Sequence, residues 1–110
     1  MIYLASPYTP PDPEIREARF HAVCRQTAEM LRSGIQVFSP IAYTHALAKH
    51  GLPVEWAFWE EFDRAFLARC WEVWGLKLDG WQESVGVQAE IKLAQELGKA
   101  VVFVEAEVTS

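Results

Sequence analysis

The chain has 110 residues, a net charge of −5, 51% hydrophobic residues and five tryptophans. That is the composition of one globular domain, and the acidic balance excludes broad binding of nucleic-acid polymers. No run approaches the ~20 apolar residues of a membrane span, and the first residues lack the basic flank and long apolar stretch of a signal peptide.

In chain order, "MIYLA" is a short apolar run and reads as a buried strand. The proline-rich loop "SPYTPPDP" follows. Asp12 suits an N-cap, Pro13 the first helical position and Glu14 the first turn, so a helix is expected from about Pro13 to Ser33, stopped by Gly34. "IQVFS" is a second strand ended by Pro40. Residues 41–54, "IAYTHALAKHGLPV", read as a loop with one helical turn. A second long helix is expected over about 55–69, a third strand in "WEVWGLKL", a turn in "DGWQE", a helix over about 85–97 ended by Gly98, and a fourth strand in "AVVFVEA".

Strands alternating with long helices imply a single α/β domain over residues 1–110. Its parallel sheet of four, or five, strands is doubly wound, a Rossmann- or flavodoxin-like three-layer sandwich. Such sheets bind ligands at the carboxyl ends of their strands, near the point where the chain changes sides. The loops there are "SPYTPPDP", "SPIAYTH" and "LDGWQES".

Two acids break the amphipathic pattern. At ~100° per residue from Val87, Glu90 falls at about −60°, between Ala94 at roughly −20° and Leu97 at about −80°. Counted likewise from Trp56, Asp63 falls at about 340°, inside the arc of Phe58, Trp59, Phe62, Phe66, Leu67 and Cys70, while Glu60 and Glu61 lie outside it. A carboxylate among apolar residues costs several kcal/mol or takes up a proton, so it is kept for structural pairing or for chemistry. Two carboxyls in differing environments are what cleavage of a glycosidic bond requires. Ser84 stands at an N-cap position, and the helix start it caps, with Val85 and Gly86, is also a natural place for a phosphate.

"IYLASPY", "FDRAFLARC" and "LDGWQESVGVQAEIKLAQELGKAVVFV" together resemble the nucleoside 2-deoxyribosyltransferase superfamily, in a compact form. That superfamily includes nucleotide N-glycosidases that release a free base from 5′-monophosphates. The resemblance implies that Glu90, in the G-x-x-x-E pattern beginning at Gly86, attacks C1′, and that Tyr3 orients its carboxylate. It implies that Asp63 handles a proton or binds the sugar, and that Ser84 occupies the position of the serine in the monophosphate-cleaving branch. A serine tolerates a phosphate that an aspartate would repel, which favours a nucleotide over a nucleoside. The chain departs from the hydrolase pattern in having no arginine in the loop after the first strand. The superfamily also leads us to expect a homodimer or larger homo-oligomer.

Other residues carry two readings each. Ser6 lies in the first of the strand-end loops and is a candidate substrate contact. Tyr8 either stacks on a base or sugar or closes its loop. Trp81 is a base-stacking lid or a cover for the sheet end, and Asp79 is turn chemistry first and a sugar-hydroxyl partner second. His45 is an acid or phosphate partner, or neither. Cys24 and Cys70, with no CxxC pair, read as reduced core residues of a cytoplasmic protein. Among Trp56, Phe58, Trp59, Phe62 and Phe66, some thicken the core and some are candidates for a dimer interface. No metal site is expected from His45 and His50, and no cofactor, since neither G-x-G-x-x-G nor a P-loop is present. The expected function is cleavage or transfer at the N-glycosidic bond of a (deoxy)nucleoside or its 5′-monophosphate. The alternatives are a catalytically silent nucleotide-binding module and a purely structural subunit.

Overall fold

Side chains alternate across a strand, and here that alternation sorts one sheet into two cores. In the computed structural model, which describes residues 1–8 and 12–106, strand β1 spans Ile2–Ala5. It is followed by helix α1 (Pro13–Arg32), β2 (Val37–Phe38), α2 (Pro40–Ala48), α3 (Trp56–Arg69), β3 (Glu72–Lys77), α4 (Val85–Glu96) and β4 (Ala100–Glu105). All strand pairs are parallel and the order across the sheet is β2-β1-β3-β4. Tyr3, Ala5, Val73 and Val101 face α3 and α4, where they meet Leu67, Leu93 and Ala94. Leu4, Trp74, Leu76 and Val104 face the other way, onto Val23 and Met30 of α1. The expected doubly wound three-layer α/β sandwich is therefore present, with four strands among the described residues.

The caps explain most boundaries. The Asp12 side chain accepts from the Glu14 backbone N–H, with Pro13 at the first helical position, as expected. Gly98 adopts a φ of +70° just past α4, which spares it the Cβ clash of the left-handed region and lets the chain turn into β4. One expectation fails: residues 41–54 are not a loop with a single turn, because α2 occupies Pro40–Ala48. The Ser39 hydroxyl accepts from the Ala42 N–H and Pro40 sits at the first helical position, so the proline that ends "IQVFS" also starts a helix. That strand is correspondingly short. No helix among the described residues is long and apolar enough to cross a membrane.

The chain leaves β1 toward α1 on one face and leaves β3 toward α4 on the other. The switch point thus lies between the carboxyl ends of β1 and β3, where a crevice opens.

Candidate active site

Tyr3 points into the α3–α4 layer because it is on the same side of β1 as Ala5. Its hydroxyl, 0% exposed, donates to Oε2 of Glu90 across 87 residues of sequence. Glu90 reaches that point because Ser84 caps α4, accepting from the Val87 N–H at 3.2 Å, and sets the phase of the helix. Asp63 comes from the neighbouring α3. Glu90 and Asp63 are 6% and 7% exposed. The inward phase read from the sequence is correct for both.

Burial governs their charge. Loss of solvent pushes Glu90 well above the ordinary carboxylate range, and the nearby Asp63 charge adds to this, while the Tyr3 hydrogen bond opposes both. Desolvation also raises Asp63, to about 7. Tyr3 is raised by burial and then by the two carboxylates, so it remains a phenol and a donor. Near neutral pH Asp63 is poised to gain or lose a proton, the condition for acid–base work.

A narrow cavity of about 40 Å³ adjoins the two acids, lined also by Ser6, Tyr8, Thr44, Trp56, Trp59, Ser84 and Gly86. Trp56 and Ser84 line both this cavity and an adjoining outer hollow of about 520 Å³ that includes Arg19, Glu55, Gly80 and Glu83. A Cβ at Gly86 would stand 3.3 Å from Cε3 of Trp56, so the missing side chain keeps this throat open. Asp63 Oδ1 and Ser6 Oγ are buried with no hydrogen-bond partner among the described residues. An unpaired buried polar atom costs roughly 1–3 kcal/mol, which a bound hydroxyl would recover.

The chain matches a protein-family model, a domain of unknown function (DUF1937), over residues 1–106. It belongs to the DUF1937 family. None of the curated proteins matches it. Chemistry in this DUF1937 domain must therefore be argued from the site itself.

The structure gathers Tyr3, Glu90, Asp63, Ser6, Tyr8, Ser84 and Gly86 around one cleft. His45 stands one layer behind Tyr8 and does not line the inner cavity; its ring accepts or donates at both nitrogens within the protein. Trp81 and Asp79 are elsewhere. The Trp81 ring lies against Phe103 of β4, 5.1 Å between centroids, and covers the sheet end where Gly75 leaves room for Phe103. A base-stacking lid is not its position. Asp79 is turn chemistry: its carbonyl accepts from Arg19 at 2.7 Å, and the turn continues through Gly80, whose φ of +90° favours glycine.

Sequence reasoning missed Trp56 and Trp59 as cleft walls, Arg19 as the cation of the outer hollow and Glu17 as the partner of His45. The tryptophans lay on the same helical arc as Asp63, which was the available signal. Glu17 is on the outer side of α1 and looks like an ordinary solvated charge, whereas Arg19, four residues before the buried Val23, lies on the inward arc and could have been found by the same reasoning as Asp63. Among the described residues, no group of three or more His, Cys, Asp or Glu side chains is placed to hold a metal ion.

Proposed function

We propose that this DUF1937 domain cleaves or transfers at the N-glycosidic bond of a (deoxy)nucleoside or nucleoside 5′-monophosphate, with Glu90 as the nucleophile. The observation carrying this reading is the buried Tyr3–Glu90–Asp63 cluster, with the unpaired Asp63 oxygen in a cleft walled by two tryptophans. The sequence resemblance to nucleoside 2-deoxyribosyltransferases supports the same roles. As the Glu90 carboxylate bonds to C1′, the C–N bond breaks and its electron pair leaves with the base. Positive charge developing on the sugar draws Glu90 toward its ionised form and offsets the burial that raises its pKa. Tyr3 holds that carboxylate in place. Asp63 and Ser6 are suited to the sugar hydroxyls, and Trp56 to the face of a base, where stacking contributes ~1–3 kcal/mol. Water or a second base then releases the sugar.

Ser84 at the start of α4 and Arg19 beyond it favour a 5′-phosphate, whereas Glu55 and Glu83 in the same hollow oppose one. Nucleosides and monophosphates are therefore tested together. The proposal extends to a homodimer or larger homo-oligomer in the cytoplasm. Exposed aromatics on and after α3, Phe58 at 49% and Trp71 at 79%, and the two free cysteines are consistent with it.

Purified protein and its Glu90→Ala variant, incubated with a panel of nucleosides and 5′-monophosphates, are followed by liquid chromatography with and without an acceptor base. Free base from the parent alone is the expected result, and base exchange marks a transferase. A second reading rests on the raised pKa of Glu90, since a nucleophile held protonated suits a silent binding module. Binding without turnover by the parent at high enzyme would establish that module instead.

A further inference from the structure

Behind the cleft, three side chains from three segments form one chain of hydrogen bonds. The Tyr8 hydroxyl lies 2.6 Å from Nδ1 of His45, and Nε2 of His45 lies 2.7 Å from Oε2 of Glu17. The imidazole is fixed on its faces as well as its edges. Phe20 stacks on it, with centroids 4.1 Å apart and planes inclined by 17°, and Tyr8 meets it edge-on. His45 is 5% exposed, buried on α2. Glu17 sits on α1 with its side chain 42% exposed, 3.7 Å from Nζ of Lys49 and 3.5 Å from His21. One end of the chain therefore faces the cleft and the other faces water.

We propose that Tyr8, His45 and Glu17 form a proton relay behind the cleft, with Tyr8 as the group that protonates the departing base and Glu17 as the carboxylate that holds the charged imidazole. The proposal rests on the glycosidic reading above. Every group facing the relay fits the role. Burial raises the Tyr8 phenol, and Arg16 limits that rise while Glu17 adds to it, so Tyr8 carries its proton. Glu17 is held below the ordinary carboxylate range, first by its hydrogen bond to His45, so it stays an acceptor. Across the cleft stand Asp63 and Glu90.

In the resting chain, Tyr8 donates to Nδ1 and Nε2–H donates to the Glu17 carboxylate, which fixes the tautomer. When His45 takes up a second proton, which can enter only at Nδ1, its Nε2–H stays on the Glu17 carboxylate and its Nδ1–H donates to the Tyr8 oxygen. The Tyr8 O–H is then free to turn into the cleft. As the C–N bond breaks and the electron pair passes to the base nitrogen, the Tyr8 proton moves to that nitrogen. The Nδ1 proton moves to the Tyr8 oxygen, and His45 returns to its neutral form. In the second half-reaction, the proton lost by the attacking water passes to the Tyr8 oxygen as the Tyr8 proton returns to Nδ1, which restores the imidazolium. Atoms and charges balance over the cycle. Asp63 is thereby left to the sugar.

The test compares two leaving groups in the parent, Tyr8→Phe, His45→Gln and Glu17→Gln. One is the best nucleoside or nucleotide substrate, and the other is the 4-nitrophenyl glycoside of the same sugar, whose phenolate departs without a proton. For Tyr8→Phe, kcat on the natural substrate falls by about 10²–10⁴. That loss exceeds the loss on the nitrophenyl glycoside by at least about tenfold. Equal losses on both substrates would mean a packing role and overturn the relay. If the parent turns over neither substrate, the glycosidic reading fails, and nitrogen-15 shifts of His45 decide the relay separately. The expected spectrum is a neutral Nε2–H tautomer whose Nδ1 resonance moves in Tyr8→Phe and whose Nε2 resonance moves in Glu17→Gln. An Nδ1–H tautomer, or an Nδ1 resonance indifferent to Tyr8→Phe, refutes it with or without turnover.

Discussion

Asp63→Asn replaces an ionisable oxygen by a neutral amide of the same shape, at a position only 7% exposed. The folded carboxyl holds its proton up to about 7, against an ordinary value of 3.8 in the unfolded chain. Folding therefore gains from Asp63 fully below pH 3.8, and this stability drains away as pH rises toward 7 and is flat above it. The difference corresponds to roughly 4 kcal/mol in all, of which about 3 kcal/mol is lost between pH 4.5 and pH 8. That is a large share of the 5–15 kcal/mol that holds an ordinary domain folded. The asparagine variant has no such descent. Urea unfolding followed by tryptophan fluorescence, at pH 4.5, 6, 7 and 8, should show the variant gaining about 2–3 kcal/mol on the parent across the series while losing turnover. Parallel stability curves, or a variant that weakens as pH rises, would refute the claim that a desolvated carboxyl sits at this position.

Tyr3→Phe leaves Glu90 without its donor, at a cost of about 1–3 kcal/mol in urea unfolding. Because that bond favours the ionised Glu90, its loss shifts the acid limb of the pH–rate profile to higher pH. Gly86→Ala sets a methyl 3.3 Å from the Trp56 ring; KM rises several-fold, while stability stays within ~1 kcal/mol because alanine is the better helix residue. Sedimentation of the purified protein should give a species larger than 12.5 kDa, and Phe58→Glu with Trp71→Glu should return it to that mass; a monomeric parent refutes the proposed oligomer.

What the sequence made legible was whatever depends on period and caps. Asp63 and Glu90 were found because a charged group on an apolar arc is a local contradiction that a helical wheel exposes, whereas Tyr3, on a strand, was reached only through the family resemblance. The layer order followed from alternating strands and helices. The start of α2 was also written locally, in Ser39–Pro40, but the same proline ends a strand, and one residue serving two boundaries was read as serving one. Glu17 left no trace, since a charge on the outer side of α1 looks the same whether it meets water or a histidine from α2, while Arg19 shares the arc of Val23 and Met30 and its signal went unread. Trp81 carried two readings, and its contact fits the cover for the sheet end. Its place beside a strand end suggested the pocket, but Phe103 arrives from a strand more than twenty residues later and takes the contact.

The position of β1 has a consequence for how the protein is made. Of the four described strands β1 is made before the others, yet it is an interior strand of their sheet, and until β3 appears it has only β2 of these to pair with. Its other edge stays open until β3 leaves the ribosome, and Tyr3 waits longer still for Glu90, 87 residues downstream. Closure of so long a loop is entropically late and slow, and an open edge next to apolar side chains invites pairing with other chains meanwhile. A truncated or stalled chain lacking α4 would thus hold Tyr3 and Asp63 but not Glu90, the proposed nucleophile. The contact on which the proposed chemistry depends is therefore also among the later ones the chain can form.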